Sequence, residues 1–190
     1  RSGMRPQHRI KAAGAYFITA KTWQGRKLFQ KDTWAGILIE TIMDYRQQGR
    51  YRLHAFVVMP DHLHVLLTPA QESSLEKAVQ FIKGGSSHRI GKAFQTKFPV
   101  WQTGFNEHWI RSQEDYETRK RYIEFNPIKA CLAPTPMEYP YSSANGNFDL
   151  DPFVMTSGAK AREGEDAVSA GLKPRPAKNV ASKRKPERPE

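Results

Sequence analysis

Arg52-Leu53-His54-Ala55-Phe56-Val57-Val58-Met59, then Pro60-Asp61, then His62-Leu63-His64-Val65-Leu66-Leu67-Thr68, is the stretch on which the fold turns. Both runs are apolar and carry β-branched residues, and a Pro-Asp pair separates them, which is the composition of two strands around a tight connection. Strand side chains alternate, so His62 and His64 share one face and Leu63 takes the other. Two neutral imidazoles side by side on a strand can chelate one divalent ion, although His-x-His on an apolar strand is more often a pair of hydrogen-bonded histidines. The pair by itself leaves both readings open.

Working outward, Ala15-Tyr16-Phe17-Ile18-Thr19-Ala20 reads as an earlier strand. Trp34, Ile37, Leu38, Ile42 and Tyr45 recur at helical spacing, with Gly49 near the end. Downstream, Leu75, Val79, Ile82, Ile90 and Phe94 mark a second helical region, which Gly84-Gly85 is expected to interrupt. Phe105 to Arg111 reads as a strand between Gly104 and Ser112. Ser112-Gln113-Glu114-Asp115 is a capping-box variant that opens a last helix. That helix is expected to stop at Asn126, because Pro127 disfavours helical geometry in the residue before it. The order β-α-β-β-α-β plus one helix predicts an α+β fold, a ferredoxin-like antiparallel sheet with helices on one face. The open face would take a ligand or the extra helix.

The whole chain has 190 residues with 30 Lys and Arg against 19 Asp and Glu, a formal charge of +11 and a pI near 9.8. A charge of that size makes a polyanion the first partner to consider. Eight basic and no acidic residues lie between Arg1 and Lys31. Residues 158–190 hold nine basic and five acidic side chains, four prolines and no aromatic residue. Such a segment buries too little apolar surface to offset its ordering entropy. The expected organisation is a basic arm over 1–14, one domain over 15–150, and a disordered Pro/Lys/Arg-rich tail over 151–190, either solvated or an arm for nucleic acid. Cys131 is the single cysteine, which rules out an internal disulfide or a Cys-based metal cage and fits a reducing cytoplasm. No apolar run approaches the ~20 residues of a membrane helix, so no membrane association is expected.

Tyr122 and Asn126 are four residues apart and share a face of the last helix. The apolar stripe of that helix runs through Tyr116 and Ile123, which puts Tyr122 beside the stripe, at the sheet edge near the histidines. Asn126 can offer an amide oxygen, and Arg119, Lys120 and Arg121 make the helix attractive to phosphate. Taken singly, Tyr122 reads as a core-edge aromatic and Asn126 as a helix C-cap before proline.

Together, Val57-Val58-Met59-Pro60-Asp61-His62-Leu63-His64 and Tyr122-Ile123-Glu124-Phe125-Asn126-Pro127 resemble the single-tyrosine HUH transposases, and in particular their REP-associated (RAYT) branch. Trp101-Gln102-Thr103-Gly104-Phe105, Trp109-Ile110-Arg111-Ser112 and Tyr139-Pro140-Tyr141-Ser142-Ser143 extend the resemblance from about Tyr16 to Ser143. The resemblance implies that His62, His64 and Asn126 are metal ligands, with Mg²⁺ or Mn²⁺ as the metal, and that Tyr122 is the nucleophile. It implies cleavage and transfer of single-stranded or hairpin DNA through a 5′-phosphotyrosine. Asparagine at 126, where the mobile insertion-sequence transposases have glutamine, favours the RAYT branch. Whether such a protein is a monomer or a homodimer, the sequence leaves undecided.

Arg5, Arg9, Lys11, Lys21, Lys83 and Arg89 join Arg119, Lys120 and Arg121 as candidate DNA contacts, with Trp23 and Trp109 as candidate stacking surfaces. The rival reading is a domesticated, non-catalytic DNA-binding relative. A pure binder has no need of all four of His62, His64, Tyr122 and Asn126. A two-histidine RNA phosphoesterase needs two separated His-x-Thr/Ser motifs, and His64 is followed by Val65-Leu66. A replication-initiator nuclease shares the chemistry in a different chain order.

Overall fold

The computed structural model describes residues 14–155. Arg5, Arg9 and Lys11, with the arm and all of the tail beyond 155, lie outside the described residues. The elements are β1 (Tyr16–Lys21), α1 (Asp32–Gln47), β2 (Tyr51–Met59), β3 (His62–Pro69), α2 (Leu75–Phe94), β4 (Asn106–Trp109) and α3 (Gln113–Lys129). The sheet order is β2-β3-β1-β4 and each neighbouring pair is antiparallel, the ferredoxin-like arrangement.

Alternation along the strands divides the apolar residues between two cores. Tyr16, Ile18 and Ala20 of β1 and Leu63, Val65 and Leu67 of β3 face α1 and α2, where Trp34, Leu38, Ile42, Val79, Ile82 and Ile90 close over them. Phe17 of β1, Ala55, Val57 and Met59 of β2 and Leu66 of β3 face the other way, toward Tyr116 and Ile123 of α3. The extra helix therefore occupies part of the face that the two α/β crossovers leave open.

Two expectations fail here for local reasons. Helix α2 runs unbroken through Gly84-Gly85. A Cβ at Gly85 would stand 2.6 Å from the Tyr45 ring and 2.9 Å from the Thr41 methyl, so this glycine lets α1 and α2 approach closely and does not end the helix. Helix α3 passes Asn126 and Pro127 and ends at Lys129. Proline forfeits one hydrogen bond near the helix end, and the last turn is closed by Ala130 N–H to the Asn126 carbonyl. Beyond it Cys131 takes a left-handed conformation (φ 55°), donates to the Ile128 carbonyl, and Leu132 donates to the Pro127 carbonyl. That pair of bonds is a Schellman motif with cysteine where glycine is usual.

The exposed edge of β2 is covered by the chain after α3. Val58 N–H donates to the Tyr141 carbonyl, the Tyr139 hydroxyl to the Val58 carbonyl, and the Ser143 hydroxyl bridges the N–H and C=O of Phe56. Further along, Asp151 takes Leu53 N–H on its carboxylate, returns its own N–H to the Leu53 carbonyl, and pairs with Arg46 of α1 at 2.9 Å. Phe153 stacks on Tyr116 with ring centres 4.1 Å apart. The boundary expected at 150 thus falls inside an ordered clamp. Its partner is the bulge at Leu53/Ala55, where the extra residue His54 spans from the Asp151 carbonyl to the Thr68 hydroxyl.

Candidate active site

β3 carries the first half of the site. His62 and His64 project to the α3 side of the sheet, their rings 4.6 Å apart. The Nδ1 of each ring already has a partner. His62 Nδ1 is 2.6 Å from the Asp61 carboxylate, and His64 Nδ1 is 2.9 Å from the hydroxyl of Thr19, its cross-strand neighbour on β1. A carboxylate can only accept, so Asp61 holds the His62 proton on Nδ1 and leaves the Nε2 lone pair facing away. Thr19 can hold His64 in the same tautomer. Such backing orients histidines that bind metal. His64 is 4% exposed, and burial, with the neighbouring His62 adding to it, pulls its pKa down to about 3. The ring is therefore neutral near pH 7, as ligation requires.

α3 carries the second half. Tyr116, Ile123 and Pro127 are its buried positions, and the adjoining face presents Arg119, Tyr122, Asn126 and Lys129. Tyr122, 39% exposed, stands edge-on to His64 with ring centres 5.2 Å apart and edge-on to Phe17 at 5.8 Å. Phe17 in turn stacks on His64 at 5.3 Å. Asn126 is half-buried one turn beyond Tyr122 on the same face. Among the described residues no three or more His, Cys, Asp and Glu are grouped to hold a metal. The Asn126 amide oxygen has the chemistry of a third donor to a His62–His64 pair.

Two cations border this cluster. The Arg119 guanidinium lies 5.5 Å from the centre of the Phe17 ring, and the Lys129 ammonium lies 5.2 Å from the centre of the Tyr122 ring. Lys129, Asp61, Thr19 and Phe17 are neighbours of the site that the sequence reading did not single out. Thr19 could be found only through the β1/β3 register. Lys129 could have been found from its place on the Tyr122 face of the helix.

The other candidates are distributed more widely. Lys21 and Arg121 are exposed. Lys120 is 3.8 Å from Glu124, and Arg89 pairs with Asp44 at 2.7 Å. Lys83 donates to the carbonyls of Gln102 at 2.8 Å and Gly104 at 2.5 Å, and burial lowers its pKa. Lys83 therefore braces the 102–104 turn. Trp109 is half-buried against the main core, and Trp23 is half-buried in the loop after β1. His108 is bound through Nε2 to the Asp115 carboxylate at 2.8 Å, which ties β4 to the start of α3.

The sequence profile described as "Transposase IS200 like" matches residues 14–126. The chain is 26% identical over 148 residues to the REP-associated tyrosine transposase of Escherichia coli (strain K12), a match that covers 72% of this chain and 87% of that protein. It is 28% identical over 165 residues to an uncharacterised protein of Haemophilus influenzae, covering 67% of this chain and 88% of that one. Among solved structures it is similar to a REP-associated tyrosine transposase bound to a REP hairpin, with a TM-score of 0.60 and 24% identity over 83% of this chain and 96% of that one. That last likeness is one of fold.

Proposed function

The chain belongs to the IS200-like transposase family, and we propose that it is a metal-dependent single-strand DNA endonuclease and strand transferase acting on hairpin DNA through Tyr122. The observation that carries this reading is the packing of Tyr122 against His64, 5.2 Å between rings, on the sheet face where both histidines have their Nδ1 atoms committed and Nε2 left for a ligand. The relative from Escherichia coli and the hairpin-bound structure point to the same class of substrate.

In the reaction the Tyr122 oxygen forms a bond to the scissile phosphorus and the bond from phosphorus to the 3′-oxygen breaks. The phenol proton leaves to solvent, and the departing 3′-oxygen takes one up. The product is a 5′-phosphotyrosine and a free 3′-hydroxyl. A phenol is mostly protonated at neutral pH, so it needs a polarised phosphate and precise alignment. A Mg²⁺ or Mn²⁺ ion, when held by His62, His64 and Asn126, supplies Lewis-acid charge at the phosphate. Lys129 beside the tyrosine, and Arg119, 3.5 Å from the Asp115 carboxylate, add positive charge near the site. The phosphotyrosine keeps the energy of the phosphodiester, so a second 3′-hydroxyl can reverse the step, which is strand transfer. The packing of α3 on the sheet of its own chain supports a reading in which Tyr122 serves the histidines of the same copy.

Incubation with end-labelled hairpin oligonucleotides, their palindromes drawn from the DNA flanking the gene, and Mn²⁺ tests this directly. A covalent protein–DNA adduct on a denaturing gel is expected for the natural chain and none for Tyr122→Phe. An adduct that persists in Tyr122→Phe refutes the proposal, as does the lack of an adduct with every flanking palindrome.

A further inference from the structure

Two stretches of this chain lack any acidic residue, 1–31 and 77–106, and the fold brings the described parts of them together. Trp23 N–H donates to the Val100 carbonyl and Gln102 N–H to the Lys21 carbonyl, both at 2.9 Å. Where they meet lies an aromatic stack. Trp34 is buried, with Phe94 parallel to it at 5.5 Å and Phe98 at 6.0 Å. Phe94 is 42% and Phe98 37% exposed, so each presents part of its ring to solvent. The Arg26 guanidinium sits 5.2 Å from the Phe98 ring centre, and the Lys31 ammonium 5.7 Å from that of Trp34. Lys27, Lys92 and Lys97 on the same two segments are also exposed. Of the nearby acids, Asp32 accepts from the Tyr141 hydroxyl and Asp44 pairs with Arg89.

Phe98 also lines a groove of about 510 Å³ between α2 and the 96–105 loop, together with Gln80, Ser87, Gln102 and Thr103, and with Glu76 as the acidic residue of its lining. Half-exposed aromatic rings beside Arg26, Lys27, Lys31, Lys92 and Lys97, next to a groove that has side-chain amides and hydroxyls, are what unpaired bases and their phosphates require. The patch also adjoins the site. The Asp61 carbonyl takes the N–H and hydroxyl of Thr22, and the Pro60 carbonyl takes Phe29 N–H. The loop bearing Arg26 is thereby tied to the turn that carries Asp61 and His62.

We propose that the Trp34–Phe94–Phe98 stack, with Arg26, Lys31 and the adjoining groove, binds the unpaired DNA that flanks the hairpin, bases against Phe94 and Phe98 and phosphates on Arg26 and Lys31. The assignment rests on the DNA-cleaving function above and adds a second contact surface to it. It does not depend on which sequence is cleaved, because every base has a face that can stack.

The test uses the full chain and a fluorescein-labelled (dT)12 oligonucleotide, with anisotropy read at several salt concentrations. Phe94→Leu/Phe98→Leu keeps the packing apolar but removes the rings, and weakens binding by about fivefold or more for each base that loses its stacking partner. Phe98→Trp retains the affinity of the natural chain. Arg26→Gln/Lys31→Gln flattens the dependence of log K on log salt by about 1.4, the share of two single-strand phosphates. The proposal is overturned if the double Leu variant binds (dT)12 as the natural chain does. It is equally overturned if sedimentation shows that this variant separates a dimer, which would make the stack a contact between copies. Hairpin adduct formation is scored separately. Loss of (dT)12 binding in the Leu variant without any adduct from the natural chain upholds this surface and refutes the cleavage function, and the reverse pattern does the opposite.

Discussion

Asp61→Ala isolates the argument about histidine tautomers. The backbone of Asp61 supports the fold, since its carbonyl accepts both the N–H and the hydroxyl of Thr22 at 2.9 Å. Its side chain is 43% exposed and bonds to His62 Nδ1, whose ring is 23% exposed. Truncation therefore removes the acceptor that holds the proton on Nδ1 and leaves the turn in place. The neutral ring can then place its proton on Nε2, the atom needed for ligation. Loss of a partner behind a metal-bound histidine weakens metal affinity by about 10–100-fold. Water reaches both side chains here and can replace part of the lost contact, so the expected loss is about tenfold, or ~1.4 kcal/mol. Asp61→Asn keeps an accepting oxygen and loses less. Thr19→Val loses more, because His64 is only 4% exposed and water cannot substitute for the hydroxyl. The assay is Mn²⁺ titration read by the electron paramagnetic resonance of the free ion, with His62→Ala as the reference for a lost site. If Asp61→Ala binds Mn²⁺ as the natural chain does while His62→Ala abolishes binding, the reasoning from the Asp61 bond is refuted.

Adjacent glycines in α2 are expected to respond with opposite signs. Gly84→Ala meets nothing closer than the Gln80 side chain at 3.7 Å and gains helix propensity, about 0.5–1 kcal/mol, whereas Gly85→Ala drives a methyl into Tyr45, itself stacked on Phe81, and loses about 1–3 kcal/mol. Chemical denaturation checks both, and equal effects would refute the account of Gly85 as a close-approach position. Cys131→Gly relieves a left-handed residue in the Schellman motif and raises stability by about 0.5–1 kcal/mol, whereas Cys131→Ala leaves the backbone strain in place and is expected to show no such gain. Burial alone would raise the Asp151 carboxyl, but bonds from Arg46 and Leu53 N–H outweigh it and hold its pKa below the usual value. The stability this contributes is complete above the unfolded carboxyl pKa, about 3.9, and is lost as pH falls through the lower folded value. Asp151→Asn should lower the melting temperature at pH 7 more than at pH 3, and an equal drop at both would contradict the ion-pair account.

Much of the fold could be read directly because its signals are local. Period-two alternation assigned His62 and His64 to one face without knowledge of any neighbour, and Ser112 with Asp115 marked the start of α3, where the Ser112 hydroxyl accepts from Asp115 N–H. Gly84-Gly85 and Pro127 were misread for a shared reason. Propensity describes what a residue prefers in isolation, while Gly85 is needed by Tyr45 across the helix pair and Pro127 is a buried position of α3. The clamp from Tyr139 to Phe153 has no periodicity to detect. It is a set of single bonds to β2 from residues more than 80 positions away, and composition assigned its end to a tail. Thr19 was hidden in the same way, since only the pairing of β1 with β3 sets it opposite His64.

The two halves of the candidate site differ in how firmly the chain holds them, and that difference bears on the chemistry. The histidines sit on an inner strand, flanked by β1 and β2, with Nδ1 of each bonded from behind. Tyr122 lies midway along a helix fastened chiefly at its ends. Near the start, His108 and the Ser112 hydroxyl bind Asp115, and Phe153 stacks on Tyr116. At the far end, Pro127 is buried and Cys131 and Leu132 close the motif. Between those anchors Ile123 is fully buried, while Tyr122 one position earlier is 39% exposed and touches His64 and Phe17 by ring edges alone. An edge-to-face pair is worth about 0.5–1.5 kcal/mol, little enough for a half-exposed tyrosine side chain to turn from it toward a bound phosphate. Histidines on a fixed strand facing a tyrosine that can turn on a fixed helix suit the reaction proposed above, in which Tyr122 would reach a phosphorus, stay bonded to the DNA, and yield it to a second 3′-hydroxyl.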